Sequence, residues 1–261
     1  MKEMTHAVRV PILTYHQIDH IPPMRDGTGV RTPYRSLIVS PSSFARQMWL
    51  LKTLGYRGVN MSEVMQYLRG EKTIALHGKV VGITFDDGYH NNLVHAQPVL
   101  ARYGFSSTCY AVSDMAGQSN SWYAKNGIAI KRLMTASELR DWIAGGQEIG
   151  SHTQHHVNLL ESESAIAQAE ISASREQLEA LTGVACRHFC YPYGYFNASH
   201  AAMVRVAGYD SATTTLHDVA SNLGSAFELP RLGVLKNTML FKFLANGCGM
   251  KFIPQSRPQR C

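Results

Sequence analysis

The sequence lacks most of what marks a membrane, fibrous or disulfide-built protein. No stretch approaches the roughly 20 consecutive apolar residues that a membrane-spanning helix needs, so no transmembrane segment is expected. Cysteine is sparse, with five in 261 residues. Cys109, Cys186, Cys190, Cys248 and Cys261 are odd in number and include no C-x-x-C pair, which argues against a disulfide scaffold and a zinc finger alike. Neither sign of charge dominates: 25 basic against 19 acidic residues leave +6 with histidine neutral. The bases are scattered rather than clustered, so no nucleic-acid partner is expected, and a mildly basic surface suits an acidic polymer or membrane headgroups equally well. Low-complexity segments and long linkers are also missing. The segment Met1–His6 leads into only a short apolar run at Val8–Leu13, too soon broken for a signal peptide. The expected compartment is the cytoplasm as the sequence stands, or the periplasm or exterior if an export signal precedes it. Nothing in the pattern reads out an oligomeric state.

What is present is an ordinary globular balance, 45% hydrophobic and 17% charged. A length near 250 residues suits one α/β barrel. Helix-like stretches end repeatedly in glycine and give way to β-rich runs: Leu54-Gly55-Tyr56, Tyr103-Gly104-Phe105, Thr182-Gly183-Val184 and Ala207-Gly208-Tyr209. Phe44, Met48, Leu51 and Leu54 recur at helical spacing. Ser40-Pro41 reads as a cap before a first-turn proline, and Thr135-Ala-Ser-Glu138 as a capping box. β-rich runs occur at Val8–Tyr15, Val80–Phe85, Ser107–Val112, Glu148–Ser151, His188–Tyr191 and Asp210–Thr215. This alternation predicts a mostly parallel sheet, open or closed into a barrel. One domain over residues 1–261 is expected, with its core at about 8–240. Residues 20–36 form a long Pro- and Gly-rich loop suited to a cleft wall, and 245–261 a loose tail.

Three segments can carry chemistry. In Val80–Tyr89 a β-branched run meets two adjacent carboxylates, Asp86 and Asp87, followed by Gly88. Neighbouring side chains on a strand face opposite sides. Both carboxylates reach one site only if the strand breaks there, which Gly88 permits; an ordinary Asp-Gly turn would leave the same dipeptide. The second segment, Glu148–Leu159, holds His152, His155 and His156 just past a short strand. One helical turn would put His152 and His156 on one face, with His155 an alternative by spacing. Two imidazoles and a carboxylate suit Zn²⁺ or another divalent first-row ion, whereas a solvated polar loop would need none. The third, Phe189–Gly194, reads as a strand end where Pro192 stops the ladder and Gly194 allows a tight turn. Its aromatics would form a sugar-stacking wall or simply cap the core.

Taken together, these segments resemble the polysaccharide deacetylases of the NodB-homology type, carbohydrate esterase family four. Thr84-Phe85-Asp86-Asp87-Gly88 matches the family's T-F-D-D-G motif, and His152-Thr-Gln-His-His156 its H-[ST]-x-x-H motif, with Leu159 fitting the register that selects His156. Tyr191-Pro192-Tyr193-Gly194 resembles the R-x-P-Y-G motif, except that Cys190 stands where the arginine belongs. The resemblance covers about residues 8–235. It implies a distorted (β/α) barrel of about seven parallel strands and hydrolysis of N-acetyl groups on N-acetylhexosamine residues, as in a bacterial surface polysaccharide. Asp87, His152 and His156 would bind one divalent metal ion, Zn²⁺ first, with Co²⁺ or Ni²⁺ also tolerated. Asp86 would be the general base, and the backbone N–H of Tyr193 an oxyanion donor beside Pro192 and Tyr191. The usual late L-x-H acid is missing. Tyr15-His16 is similar to the Y-H pair of poly-N-acetylglucosamine deacetylases, which makes His16 the expected acid and His217, beside Asp218, its rival. Arg231 in Leu229-Pro230-Arg231 is the expected substitute for the missing arginine.

Other readings lead elsewhere. Fe(II) oxygenases also use two histidines and a carboxylate, but they sit on jelly-roll sandwiches and have no use for a second aspartate. An amide or ester hydrolase of a small molecule would keep this fold, and so would a non-catalytic sugar-binding module. The latter has no reason to retain all of Asp86, Asp87, His152 and His156.

Overall fold

In the computed structural model, strand parity decides which side chains reach the inside. The described residues are 8–21, 35–71, 79–126 (backbone alone for 124–126), 130–222, 224–236 and 238. The strands of the main sheet are β1 (Ile12–Tyr15), β2 (Tyr56–Val59), β3 (Lys79–Phe85), β4 (Thr108–Ala111), β5 (Glu148–Ser151), β6 (His188–Cys190), β7 (Ser211–Thr213) and β8 (Leu232–Gly233). Seven of them run in the order β7-β6-β5-β4-β3-β1-β8, and β2 lies beside the first half of β3. Every pairing in the sheet is parallel. The two ends are joined along the chain. Leu229 bridges Thr213 of β7, and three residues later β8 pairs with β1. The alternation predicts the parallel sheet, and its curling is the distorted (β/α) barrel that the family resemblance implies.

Among the described residues seven α-helices pack with it: α1 (Pro41–Thr53), α2 (Met61–Arg69), α3 (His90–His95), α4 (Gln97–Tyr103), α5 (Ala136–Ala144), α6 (Ser164–Thr182) and α7 (Ala198–Val206). Ser40 accepts the Ser43 amide ahead of Pro41, and Thr135 and Glu138 close the expected capping box. Gly104 and Gly183 end α4 and α6 in the left-handed conformation. Asn60–Glu63 and Asn197–His200 form two further boxes that the sequence reading passed over.

Alternate residues divide the core. Leu13, Tyr15, Val81, Ile83, Phe85, Cys109, Ile149, Phe189 and Ala212 point outward and pack against Phe44 and Met48 of α1, Trp142 of α5 and Ile171 of α6. Phe85 anchors this layer, stacked on Tyr15 at 5.6 Å and edge-on to Trp142 at 5.7 Å. Ile12, Val80, Tyr110 and Cys190 point the other way and join Val64, Met65 and Leu68 of α2 in an inner cluster. Space inside is short: a Cβ on Gly150 would come within 2.6 Å of the Tyr110 ring.

Two expectations need correcting. The run Val8–Tyr15 is not one strand. Pro11 interrupts it, and Arg9–Val10 pairs antiparallel with Ala220–Ser221 outside the main sheet. Gln17–Ile18 also pairs with Ile38–Val39, which was not foreseen. Of the expected loop at 20–36, residues 22–34 lie outside the described residues, as does the expected tail at 245–261. Among the described residues no helix is long and apolar enough to cross a membrane.

Candidate functional site

The inward parity that sets Val80, Gly82 and Thr84 inside the barrel carries Asp86 to the same side one step past β3. By the same rule β1 delivers His16, β5 delivers His152 and β6 delivers Cys190. Asp87 should then face away, but its φ of 75° breaks the alternation and swings its carboxylate back. Among the described residues four non-glycines have positive φ: Asp87, Thr153, His156 and Tyr193. All four belong to the three chemistry-bearing segments. Each such residue costs about 1–3 kcal/mol and persists only where its surroundings hold it. Gly194, at φ 72°, completes the third turn, where a Cβ would collide with Thr215.

Asp86 is held by a fully engaged guanidinium. Arg231 donates from Nη1 to Oδ1 at 2.7 Å and from Nη2 to Oδ2 at 2.8 Å. Its other donors go to Thr84 Oγ1 at 3.0 Å, the Thr214 carbonyl at 3.0 Å and Cys190 Sγ at 3.1 Å. Arg231 therefore stands beside the cysteine that occupies the motif's arginine position. Burial alone would raise the Asp86 pKa. The charge and hydrogen bonds of Arg231, aided by His16 and His152, bring it below the ordinary carboxylate value. Asp86 is thus an ionised, oriented carboxylate. Burial pushes the Cys190 thiol far upward, so it serves as a neutral acceptor.

Asp87, His152 and His156 converge beside it, with donor atoms within 4.8 Å of one another. Asp87 Oδ1 lies 3.2 Å from His156 Nε2 and 3.5 Å from His152 Nε2. Its Oδ2 is buried and has no hydrogen-bond partner among the described residues. Burial would raise the Asp87 pKa, but the His156 hydrogen bond and the nearby histidines drive it well below the usual range. Burial lowers the His156 pKa, which keeps that ring neutral. His152 Nδ1 sits 2.8 Å from the Cys190 carbonyl, which can only accept, so Nε2 turns its lone pair toward Asp87. A buried carboxylate whose Oδ1 faces two imidazole nitrogens, and whose Oδ2 has no partner among the described residues, fits a divalent ion of borderline softness. In a second donor set, Asp86, His152 and Cys190, the Arg231 guanidinium already occupies Asp86 and the Cys190 sulfur.

The histidines do not meet through a helical turn, as their spacing suggested. Residues 152–156 form a loop in which Thr153 and His156 both take left-handed φ, and Thr153 Oγ1 accepts the His156 amide. Glu170 of α6 pins this loop by accepting the Gln154 and His155 amides at 2.9 and 3.0 Å. His155 is turned away from the cluster, with its ring nitrogens 2.7 Å from Glu170 and 3.0 Å from Asp114. The aromatic wall also needs revision. Tyr191 is buried between Phe189 and Phe196 and donates its hydroxyl to the Phe227 carbonyl, so it supports the turn rather than facing a ligand. Pro192 is buried too, and only Tyr193 of the three is exposed. His16 is half-buried and bears electrostatically on both aspartates. His217 is exposed, and Asp218 caps the Val219 amide and faces Arg9. The sequence reading missed Trp122, which stacks on His156 at 4.6 Å, and Tyr123 beside it. Both lie on an irregular loop where neither periodicity nor motif spacing gave a signal.

A parallel barrel with its acidic and imidazole groups at the carboxyl ends of the strands carries its candidate site where (β/α)-barrel enzymes have theirs. Residues 73–212 match the sequence model of the family described as polysaccharide deacetylase. The chain belongs to that family of carbohydrate esterases, and its homologues are bacterial hydrolases. It is 26% identical over 226 residues to Bacillus subtilis (strain 168) YxkH, named as a polysaccharide deacetylase, covering 87% of this chain and 71% of that one. It is 22% identical over 231 residues to the poly-β-1,6-N-acetyl-D-glucosamine N-deacetylase of Staphylococcus epidermidis (strain ATCC 35984), covering 84% and 77%. Its fold is similar to that of Streptococcus pyogenes deacetylase PplD, solved with acetate, with a TM-score of 0.78 and 23% identity over 92% of this chain and 99% of that one. IcaB from Ammonifex degensii is similar at a TM-score of 0.75 and 24% identity, covering 92% and 97%.

Proposed function

We propose that this chain, acting as one catalytic domain over residues 1–261, is a metal-dependent hydrolase that removes N-acetyl groups from N-acetylhexosamine residues of a polysaccharide or glycan precursor. One observation carries the reading: an ionised Asp86 clamped by Arg231 at 2.7 and 2.8 Å stands next to the convergent Asp87, His152 and His156. The poly-N-acetylglucosamine deacetylase among the relatives supports the choice of substrate class.

Asp87, His152 and His156 would hold one divalent ion, Zn²⁺ first, with Co²⁺ or Ni²⁺ tolerated by the same donors. Such an ion supplies Lewis acidity and lowers the pKa of water from 15.7 to about 7. Asp86 accepts the proton of the attacking water, and Arg231 keeps the carboxylate charged and aimed. The Tyr193 backbone N–H, turned by its φ of 60°, donates to the acetyl oxygen as it gains charge. His16, on the parity of β1, gives a proton to the departing amine nitrogen, which a hydrolysed amide requires. Acetate and a free amine result.

The test is metal content together with acetate release. Purified protein is analysed by elemental spectrometry, then assayed on N-acetylglucosamine oligomers before and after chelation and with metal restored. About one ion per chain and chelator-reversible acetate release are expected. Metal without acetate release redirects the reading to another amide or ester, and no metal after reconstitution refutes the site.

A further inference from the structure

The two histidines of the cluster are oriented by different means. His152 has an acceptor for its outer nitrogen, the Cys190 carbonyl at 2.8 Å. The corresponding His156 Nδ1 is buried and has no hydrogen-bond partner among the described residues. Rotation about the imidazole's sp³–sp² bond has a broad profile, so a ring without that hydrogen bond needs another restraint. Trp122 lies flat against it, centroids 4.6 Å apart and planes 15° from parallel. Tyr193 meets the ring edge-on at 4.7 Å and 78°.

Trp122 is itself fixed to the first motif. It lies in the short 3₁₀ turn Ser121–Asn126. Asn120, just before that turn, donates to the Tyr89 hydroxyl at 3.2 Å and accepts the Lys131 amide at 2.7 Å. The Tyr123 amide in turn donates to the Asn120 carbonyl. Tyr89 is two residues past Asp87. The stack on His156 and the carboxylate of Asp87 thus share one frame, although 35 residues separate Trp122 from Asp87 (122 − 87).

We propose that Trp122 is a positioning residue that replaces, by stacking, the outer hydrogen bond His156 lacks, and so aims His156 Nε2 at Asp87 Oδ1. The inference rests on Asp87, His152 and His156 forming a metal site, and the test separates the two. Metal-free full-length protein is titrated with Zn²⁺ against a chelating indicator for wild type, Trp122→Phe and Trp122→Leu, and each metal-free protein is melted in parallel. Outer partners of metal-binding histidines are worth about 10–100-fold in affinity, so Trp122→Leu should bind zinc at least about tenfold more weakly. Trp122→Phe keeps a flat ring and should stay within about threefold of wild type on the same scale. Unchanged affinity in Trp122→Leu, or an equal loss in both variants, overturns the proposal. If Trp122→Leu does not fold, the wild-type protein still decides. Its His156 ring protons should resonate upfield under the indole, and unshifted resonances overturn the stack. Wild-type protein that takes up no zinc overturns the metal reading, and this inference with it.

Discussion

Replacing Arg231 by methionine should uncover how much of the site's order rests on one guanidinium. The native side chain uses all five of its N–H donors, two on Asp86 and one each on Thr84, Thr214 and Cys190. Methionine fills much of the same volume but leaves both Asp86 oxygens buried without a cation. Removing one partner of a buried ion pair costs about 3–5 kcal/mol, about a fifth or more of the stability of a typical domain. Urea unfolding in chelator, followed by tryptophan fluorescence at several pH values, reads this directly. In the native protein Asp86 has a depressed pKa. Its contribution to stability is present above the unfolded value of about 3.9 and lost as pH falls through the folded pKa. In Arg231→Met burial, the largest influence, is opposed only by the smaller pull of His16 and His152, and the pKa should rise above the unfolded value. The deficit should therefore be largest near neutral pH and shrink as pH drops toward about 3.9. Adding Asp86→Asn should recover a good part of the loss by removing the stranded charge. Equal midpoints for wild type and Arg231→Met at pH 7 would refute the reasoning. So would a deficit that widens on acidification, or Asp86→Asn deepening it.

Three further outcomes follow from the geometry. Asp86→Asn should retain about one metal ion per chain and lose acetate release by about 10²–10⁴-fold, the usual worth of a general base; loss of metal would mean that base and ligand are exchanged. His16→Ala should slow amide cleavage far more than cleavage of an acetate ester with a good leaving group, and equal losses would move the acid role to another residue. Glu170→Ala should destabilise the protein by about 1–3 kcal/mol, because two loop amides lose their acceptor. The hydrogen bond to Glu170 raises the His155 pKa, and that contribution is present below the unfolded value of about 6.5 and lost as pH rises through the folded pKa. The Glu170→Ala deficit in denaturant should therefore be greater at acidic than at alkaline pH.

Much of the architecture is legible in local pattern because parity is a local property. Thr84 and Asp86 share a strand face by their spacing alone, and so do Gly150 and His152. Glycine after a helix, serine before proline and the Thr135–Glu138 box are equally local, and they fall where expected. The reading faltered where geometry departs from periodic structure. His152 and His156 come together through two left-handed residues, a conformation that spacing does not reveal. Tyr191 looks like a ligand-facing aromatic until its ring is seen between Phe189 and Phe196. Glu170 gives no sign, within a long helix, that it pins a loop from another part of the chain. Arg231 could be suspected from its L-P-R setting, but its five hydrogen bonds reach four residues in three separate segments.

The seam of the barrel has a kinetic side. Arg231 lies on the stretch that joins β7 to β8, and that stretch is the last part of the sheet to be made. The Asp86 carboxylate therefore leaves the ribosome long before its counter-charge, and it gains that partner only when the seam closes. Loop closure over such a separation is slow compared with local helix formation. Competence should thus be acquired late and all at once, as the final strand docks. A chain ending before Leu229 would contain every residue of the first three motifs and still lack the guanidinium that clamps Asp86.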